Sequence, residues 1–199
     1  MRHASRQIVA SVGSMAIVAI MTALLTCWSV TADSQTAGPV FGGTFNLTDQ
    51  DGRQVTEQDL LGKPSMVFFG FTSCPDVCPT TLLDITNWLG QLGADGDRLN
   101  VVFVSVDSER DTPEQMRLYL SSFDPRIRGF SGTEAQIRKI ADGYGASYKR
   151  VSLSDGEYTY THSVLIYLMD GQGRYVGFLR YEDPDAEAVA KLRQLISIR

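Results

Sequence analysis

Two cysteines and one histidine concentrate the chemistry of this chain. Cys74 and Cys78 stand in the run Phe69-Gly70-Phe71-Thr72-Ser73-Cys74-Pro75-Asp76-Val77-Cys78-Pro79, and the 199 residues hold only 3 cysteines and 2 histidines. Cys27 lies in an apolar N-terminal run and His3 at the extreme N-terminus, so His162 is the one imidazole available to a folded domain. Each cysteine of the pair precedes a proline, which biases it away from helical backbone. Pro79 suits the first turn of a helix, which makes Cys78 a cap-like residue just ahead of it. Helix N-termini stabilise anions, so a thiolate forms more easily here than in a free peptide. Thiolates are both soft metal ligands and redox nucleophiles, and the pair alone does not choose.

Spacing carries the argument further. Dithiol catalysts of the thioredoxin type use a Cys-x-x-Cys pair, whereas three residues separate Cys74 from Cys78. Those catalysts also place a proline opposite the cysteines, before a later strand, and no proline occurs between Pro125 and Pro184. Thr161-His162-Ser163 stands at the start of the corresponding strand instead. Two sulfurs and one imidazole nitrogen favour copper or zinc over hard cations. Three ligands satisfy Cu(I), while zinc wants a fourth, and the domain has no further Cys or His to supply it. Purely structural roles compete: a disulfide in an extracytoplasmic domain, and an edge or core position for the histidine. Asp107, Glu109, Arg110 and Asp111 form either a functional loop or a solvated one that caps the next helix; for Glu109 and Arg110 the solvated reading is preferred.

The positioning elements follow from periodicity. Phe45 to Leu47 and Arg53 to Thr56 flank Asp49-Gln50-Asp51-Gly52, an Asp-Gly hairpin signal. Met66 to Phe71 and Asn100 to Val106 are short apolar runs that suit strands buried on both faces. Leu82, Ile85, Leu89 and Leu92 recur at helical spacing after Pro79. Pro113 opens a helix to about Phe123, and Thr133 caps another that reaches Asp142. Ser163 to Met169 and Tyr175 to Leu179 are strands either side of Asp170-Gly171-Gln172-Gly173, and Ala186 to Ile196 is a closing helix. This alternation predicts an α/β fold, a thioredoxin-like central mixed sheet flanked by helices with an added N-terminal β-hairpin. The cysteines then fall at the C-terminal edge of the first buried strand, where such sheets gather ligands.

Ahead of this domain the chain is apolar. Residues 1–7 carry two arginines and no acid, and no formal charge occurs from Ile8 to Val30. About 20 apolar residues span a bilayer. The positive flank places the N-terminus in the cytoplasm and the domain, residues 43–199, across the membrane. The preferred reading of residues 1–32 is a single membrane-spanning anchor, followed by a linker over 33–42. The alternatives are a signal cleaved after Val30-Thr31-Ala32, and a lipoprotein modified at Cys27, where Leu24-Leu25-Thr26 makes a poor lipobox. The expected location is the bacterial cytoplasmic membrane, with the domain facing the periplasm. A hydrophobic fraction of 43% with 21% charged residues excludes collagen-like, low-complexity and wholly disordered classes. A net charge of -5 argues against a nucleic-acid binder.

Residues 43–199 resemble the SCO/SenC family of copper chaperones for cytochrome c oxidase assembly. The resemblance rests on GGTFNLTDQDG (42–52), GFTSCPDVCP (70–79), SVDSERDTP (105–113) and THSVLIYLMD (161–170). It implies a thioredoxin fold on one N-terminal anchor, with copper held by Cys74, Cys78 and His162 as Cu(I) and Cu(II). The implied destination is the binuclear copper centre of oxidase subunit II. Ser108 departs from the proline that family members commonly carry after Asp107, which bears on loop stiffness rather than on the ligands.

Two function classes stay open, a copper carrier and a membrane-tethered thiol-disulfide reductase that keeps a client's copper-ligand cysteines reduced. The client is oxidase subunit II or another copper protein, and the carrier reading makes the chain no enzyme. His162 discriminates between the two classes, because metal ligation needs it and dithiol exchange does not. A peroxiredoxin reading is weak, since the proline of a Pro-x-x-x-Thr-x-x-Cys approach is missing. In an oxidising compartment the metal-free pair is expected to form a Cys74–Cys78 disulfide.

Overall fold

A computed structural model describes residues 41–154 and 156–198. The expected anchor, the cleavage site and Cys27 lie outside the described residues; within them, no helix is long and apolar enough to cross a membrane. The two apolar runs form the centre of the sheet. β3 (Ser65–Gly70) is buried at every position, and β4 (Asn100–Ser105) pairs with it in parallel, Val67 opposite Val102 and Phe68 opposite Phe103. Burial on both faces explains why neither run alternates. β5 (Ile127–Ser131) adds to β4 in parallel. The Asp-Gly hairpin, β1 (Asn46–Asp49) and β2 (Gln54–Thr56), joins β5 antiparallel. On the other side β8 (Leu165–Met169) runs antiparallel to β3, and β9 (Tyr175–Arg180) completes the order β2-β1-β5-β4-β3-β8-β9.

Helices cover both faces. α1 (Val77–Leu92) and α2 (Pro113–Leu120) lie on the face of Phe68, Gly70, Phe103 and Gly129. A Cβ on Gly70 would strike Cys78 of α1, and one on Gly129 would strike Met116 and Leu120 of α2. α4 (Asp185–Ser197) packs beside α1, where the buried Trp88 Nε1 donates to Asp185 Oδ1 at 2.8 Å. α3 (Glu134–Tyr144) takes the opposite face, with the Tyr144 ring against Phe69 and Tyr167. Thr133 caps α3 as expected, its hydroxyl accepting from Gln136 N. This is the expected mixed α/β sheet flanked by helices, with the N-terminal hairpin at one edge.

Three local expectations are corrected. α1 begins at Val77, so Cys78 lies inside its first turn rather than ahead of it; Pro79 still fits, because first-turn N–H groups have no intrahelical partner. α2 stops at Leu120. The stretch between α3 and β8 contains a ribbon that periodicity did not signal, β6 (Tyr148–Ser152) and β7 (Tyr158–His162), paired antiparallel with each other. His162 therefore ends β7 instead of opening β8, which starts three residues later at Leu165.

Candidate metal centre

The C-terminal ends of β3 and β4, the first turn of α1 and the end of β7 meet at Cys74, Cys78 and His162. Cys74 sits in the loop after β3, half-buried, with its N–H donating to the Phe71 carbonyl at 3.2 Å. Four residues on, the Cys78 N–H donates to Cys74 Sγ at 3.4 Å, so a first-turn amide of α1 faces that sulfur. Cys78 is wholly buried. Its sulfur occupies the space that a side chain at position 70 would fill, since a Cβ on Gly70 would stand 2.6 Å from Cys78 Sγ and 2.7 Å from the Phe103 ring.

His162 completes the group. Its Nε2 lies 3.4 Å from Cys78 Sγ, and its Nδ1 lies 2.9 Å from the Ser163 carbonyl oxygen. A carbonyl only accepts, so in the neutral ring Nδ1 carries the proton and the Nε2 lone pair faces the sulfur. The ring is wedged edge-on between Phe71, at 5.8 Å between centroids, and Phe68, at 6.1 Å. The three ligand atoms all lie within 4.8 Å of one another. The sequence reading of the site residues thus brings together the three side chains it named, and both cysteines are free thiols in this structure.

The two sulfurs differ electrostatically. A hydrogen bond from the Cys78 thiol, helped by the amides of Asp76 and Cys78, holds the Cys74 thiol down to about 3 against the opposing effect of burial. Its hydrogen bond to Cys74, together with its own burial, pushes Cys78 far up. Cys74 is the ready thiolate, and Cys78 keeps its proton until a cation displaces it.

The loop after β4 fixes the neighbourhood. Asp111 accepts from Thr72 N at 2.9 Å, from Thr72 Oγ1 at 2.6 Å, and from the Ser105 hydroxyl. Burial pushes its carboxyl up, and those hydrogen bonds oppose the shift. Asp107, with no exposed side chain, pairs with Arg110 Nε and accepts from the Tyr158 hydroxyl at 3.1 Å. The solvated reading of Arg110 is overturned: it binds a buried carboxylate and reaches the Tyr158 carbonyl of β7 at 3.1 Å. Glu109 is exposed, yet it pairs with Arg150 of β6 at 2.7 Å. Tyr158 and Arg150 were not singled out from sequence for any role, because their partners Asp107 and Glu109 are distant in the chain.

Two cysteine sulfurs and one oriented imidazole, all within 4.8 Å of one another, form a soft-metal site once Cys78 gives up its proton. The Nδ1–carbonyl bond supplies the outer support that metal-bound histidines normally have. Among the described residues this is the one cluster of histidine, cysteine or carboxylate side chains close enough to share an ion.

Known proteins are similar to this chain in sequence and fold. The structure of ScoI from Bradyrhizobium japonicum with copper bound is similar at 49% identity and a TM-score of 0.74, over 78% of this chain and 99% of that one. A SCO2-like protein of Rickettsia prowazekii is 39% identical over 153 residues, 76% of this chain and 74% of its own length. The mitochondrial protein SCO2 of Saccharomyces cerevisiae is 36% identical over 159 residues, 78% of this chain, which spans about half (52%) of that relative. Residues 33–197 match the SCO1/SenC pattern, and with these likenesses the chain belongs to the SCO1/SenC family.

Proposed function

We propose that this protein is a copper chaperone that binds one copper ion through Cys74, Cys78 and His162. It passes the ion to the binuclear copper centre of cytochrome c oxidase subunit II. The observation that carries this reading is the approach of Cys74 Sγ, Cys78 Sγ and a histidine nitrogen to within 4.8 Å, with Nε2 turned to the sulfurs by the Ser163 carbonyl. The copper-bound ScoI of similar fold supports it. Copper is cargo here, and the residues act in sequence upon it. The thiolate of Cys74, half-exposed, captures the ion; Cys78 gives up its proton to become the buried ligand; His162 closes the trigonal set. Release reverses this order: His162 lets go, Cys78 recovers its proton, and half-exposed Cys74 holds the ion last, where an incoming ligand of the client reaches it.

The domain is placed on the periplasmic face of the bacterial cytoplasmic membrane, tethered by the apolar run of residues 8–30. Cleavage after residue 32 or lipidation at Cys27 would change the tether and leave the site as it is. In the metal-free state the pair closes to a Cys74–Cys78 disulfide, losing two protons and passing two electrons to an oxidant of that compartment. A second role follows from the lowered Cys74 thiol: attack on a disulfide of the client, with Cys78 resolving the mixed disulfide, would reduce the client's copper ligands. Metal content of the purified protein, with and without H162A, separates the roles. Copper at one per chain that depends on His162 supports the carrier; disulfide exchange without copper retention leaves the reductase.

A further inference from the structure

His162 is carried on a ribbon that the main sheet does not hold. Among the described residues β6 and β7 form a sheet of their own, so side chains fasten the ribbon to the body. Near His162, Phe71 packs edge-on against both Tyr160, at 5.5 Å, and the imidazole. Four residues before the histidine, at the start of β7, Tyr158 is gripped from several directions. Its hydroxyl lies 3.1 Å from Asp107 Oδ1 and 3.2 Å from Glu109 Oε2, so its one proton is shared between two carboxylates. Its carbonyl accepts from Arg110 Nη1 at 3.1 Å. The guanidinium carbons of Arg110 and Arg150 lie 3.8 and 3.6 Å from its ring centroid, close enough for strong cation–π contact.

The loop that makes this grip also holds the cysteine segment. Asp107, Glu109 and Arg110 bind Tyr158, while Asp111 of the same loop binds Thr72, two residues before Cys74. One short segment between β4 and α2 therefore references both halves of the metal centre. Through Asp111 it locates the thiols, and through Tyr158 it locates the strand that ends in the imidazole.

We propose that Tyr158 is a positioning residue for copper: clasped by the 107–110 loop and Arg150, it sets β7 so that His162 Nε2 meets the two sulfurs. This rests on the copper reading above. The clasp contributes no ligand and acts only through His162. Removing it should leave the thiol pair in place and free the imidazole to swing away.

A double-mutant cycle on the full-length protein tests this, with Cu(I) affinity read against a competing chelator. Y158A should lower the affinity about tenfold or more, the usual cost of losing an outer-shell support. In the H162A background the same change should have no further effect. Y158F, which keeps the ring between the guanidiniums and the Arg110–carbonyl bond, should restore most of the affinity. R150A removes only a half-exposed side chain, so it keeps the test valid should Y158A fold poorly; it should give a smaller loss, again only where His162 is present. In the metal-free protein, hydrogen–deuterium exchange of the β7 amides should rise in Y158A and R150A while that of β3 and β4 stays fixed. Equal losses with and without His162, or unchanged affinity in Y158A, would overturn the inference. Absence of copper binding by the wild-type protein would instead overturn the copper reading, and this inference with it.

Discussion

His162 Nδ1 donates to the carbonyl oxygen of Ser163 at 2.9 Å, a bond between neighbours in the chain that decides which ring nitrogen faces Cys78. Because the partner is backbone, no side-chain substitution at position 163 removes it, and the imidazole keeps one tautomer as long as β7 ends where it does. The site is therefore prepared for a metal on the histidine side before any metal arrives. On the sulfur side preparation is incomplete, since Cys78 must still lose a proton.

That asymmetry predicts a distinctive thiol reactivity. An ordinary thiol near 8.5 loses about tenfold in thiolate for each pH unit below it. With Cys74 held at about 3, its thiolate population stays nearly complete as pH falls from about 8 to about 5. Alkylation of the reduced, metal-free protein should modify Cys74 first and at a rate that changes little across that range, with Cys78 slow throughout. Mass mapping of the labelled cysteine checks this; a rate that falls tenfold per unit would contradict it.

Gly70 should resist every replacement. Its φ is ordinary, so the constraint is space, not backbone: an added Cβ would stand 2.6 Å from Cys78 Sγ and 2.7 Å from Phe103. Neither group can move aside freely, since Cys78 and Phe103 are both wholly buried. G70A should cost about 1–3 kcal/mol by overpacking and should also weaken copper binding by displacing a ligand sulfur. Urea unfolding paired with a copper titration measures both, and a wild-type result in either would count against the packing argument.

Asp111 is expected to matter for stability more than for ligation. D111A strands the Thr72 N–H and the Thr72 and Ser105 hydroxyls, which the carboxylate now satisfies. The loss should be about 1–3 kcal/mol, the cost of leaving buried polar groups unpaired. D111N keeps the volume and one acceptor, and should fall between the two. Denaturant midpoints order the three proteins, and a D111A midpoint equal to wild type would refute the assignment.

The central strands were legible because they are buried on both faces, and burial writes itself as the runs from Met66 and from Asn100. The Asp-Gly hairpin and the Thr133 cap were legible because their chemistry is local. β5 was not, since Arg128 and Gly129 interrupt its apolar run; Gly129 serves Met116 and Leu120 of α2, a tertiary reason that its own neighbours do not disclose. The ribbon of β6 and β7 escaped for a related reason. Its residues YKRVS and YTYTH are mostly half-exposed, and its pairing needs no apolar run. Cys74, Cys78 and His162 stood out through scarcity, whereas Tyr158 was invisible because its partners Arg110 and Asp107 lie 48 and 51 residues away.

Topology is tested separately from chemistry. If the apolar run of residues 8–30 anchors the chain with its arginines inside, protease added to intact spheroplasts should digest the domain. Digestion only after lysis would reverse the orientation and remove the periplasmic placement.

The most direct measurement is a Cu(I) titration of the purified protein against a competing chelator, comparing wild type with C74S, C78S and H162A. One copper per wild-type chain is expected, nearly abolished in either serine variant because a hydroxyl is a hard substitute for a soft thiolate. H162A should retain copper markedly less well while still exchanging disulfides, and all affinities should fall with pH as protons compete for the ligands. A wild-type stoichiometry near zero, or an affinity indifferent to H162A, would contradict the chaperone account and leave the dithiol as a reductase.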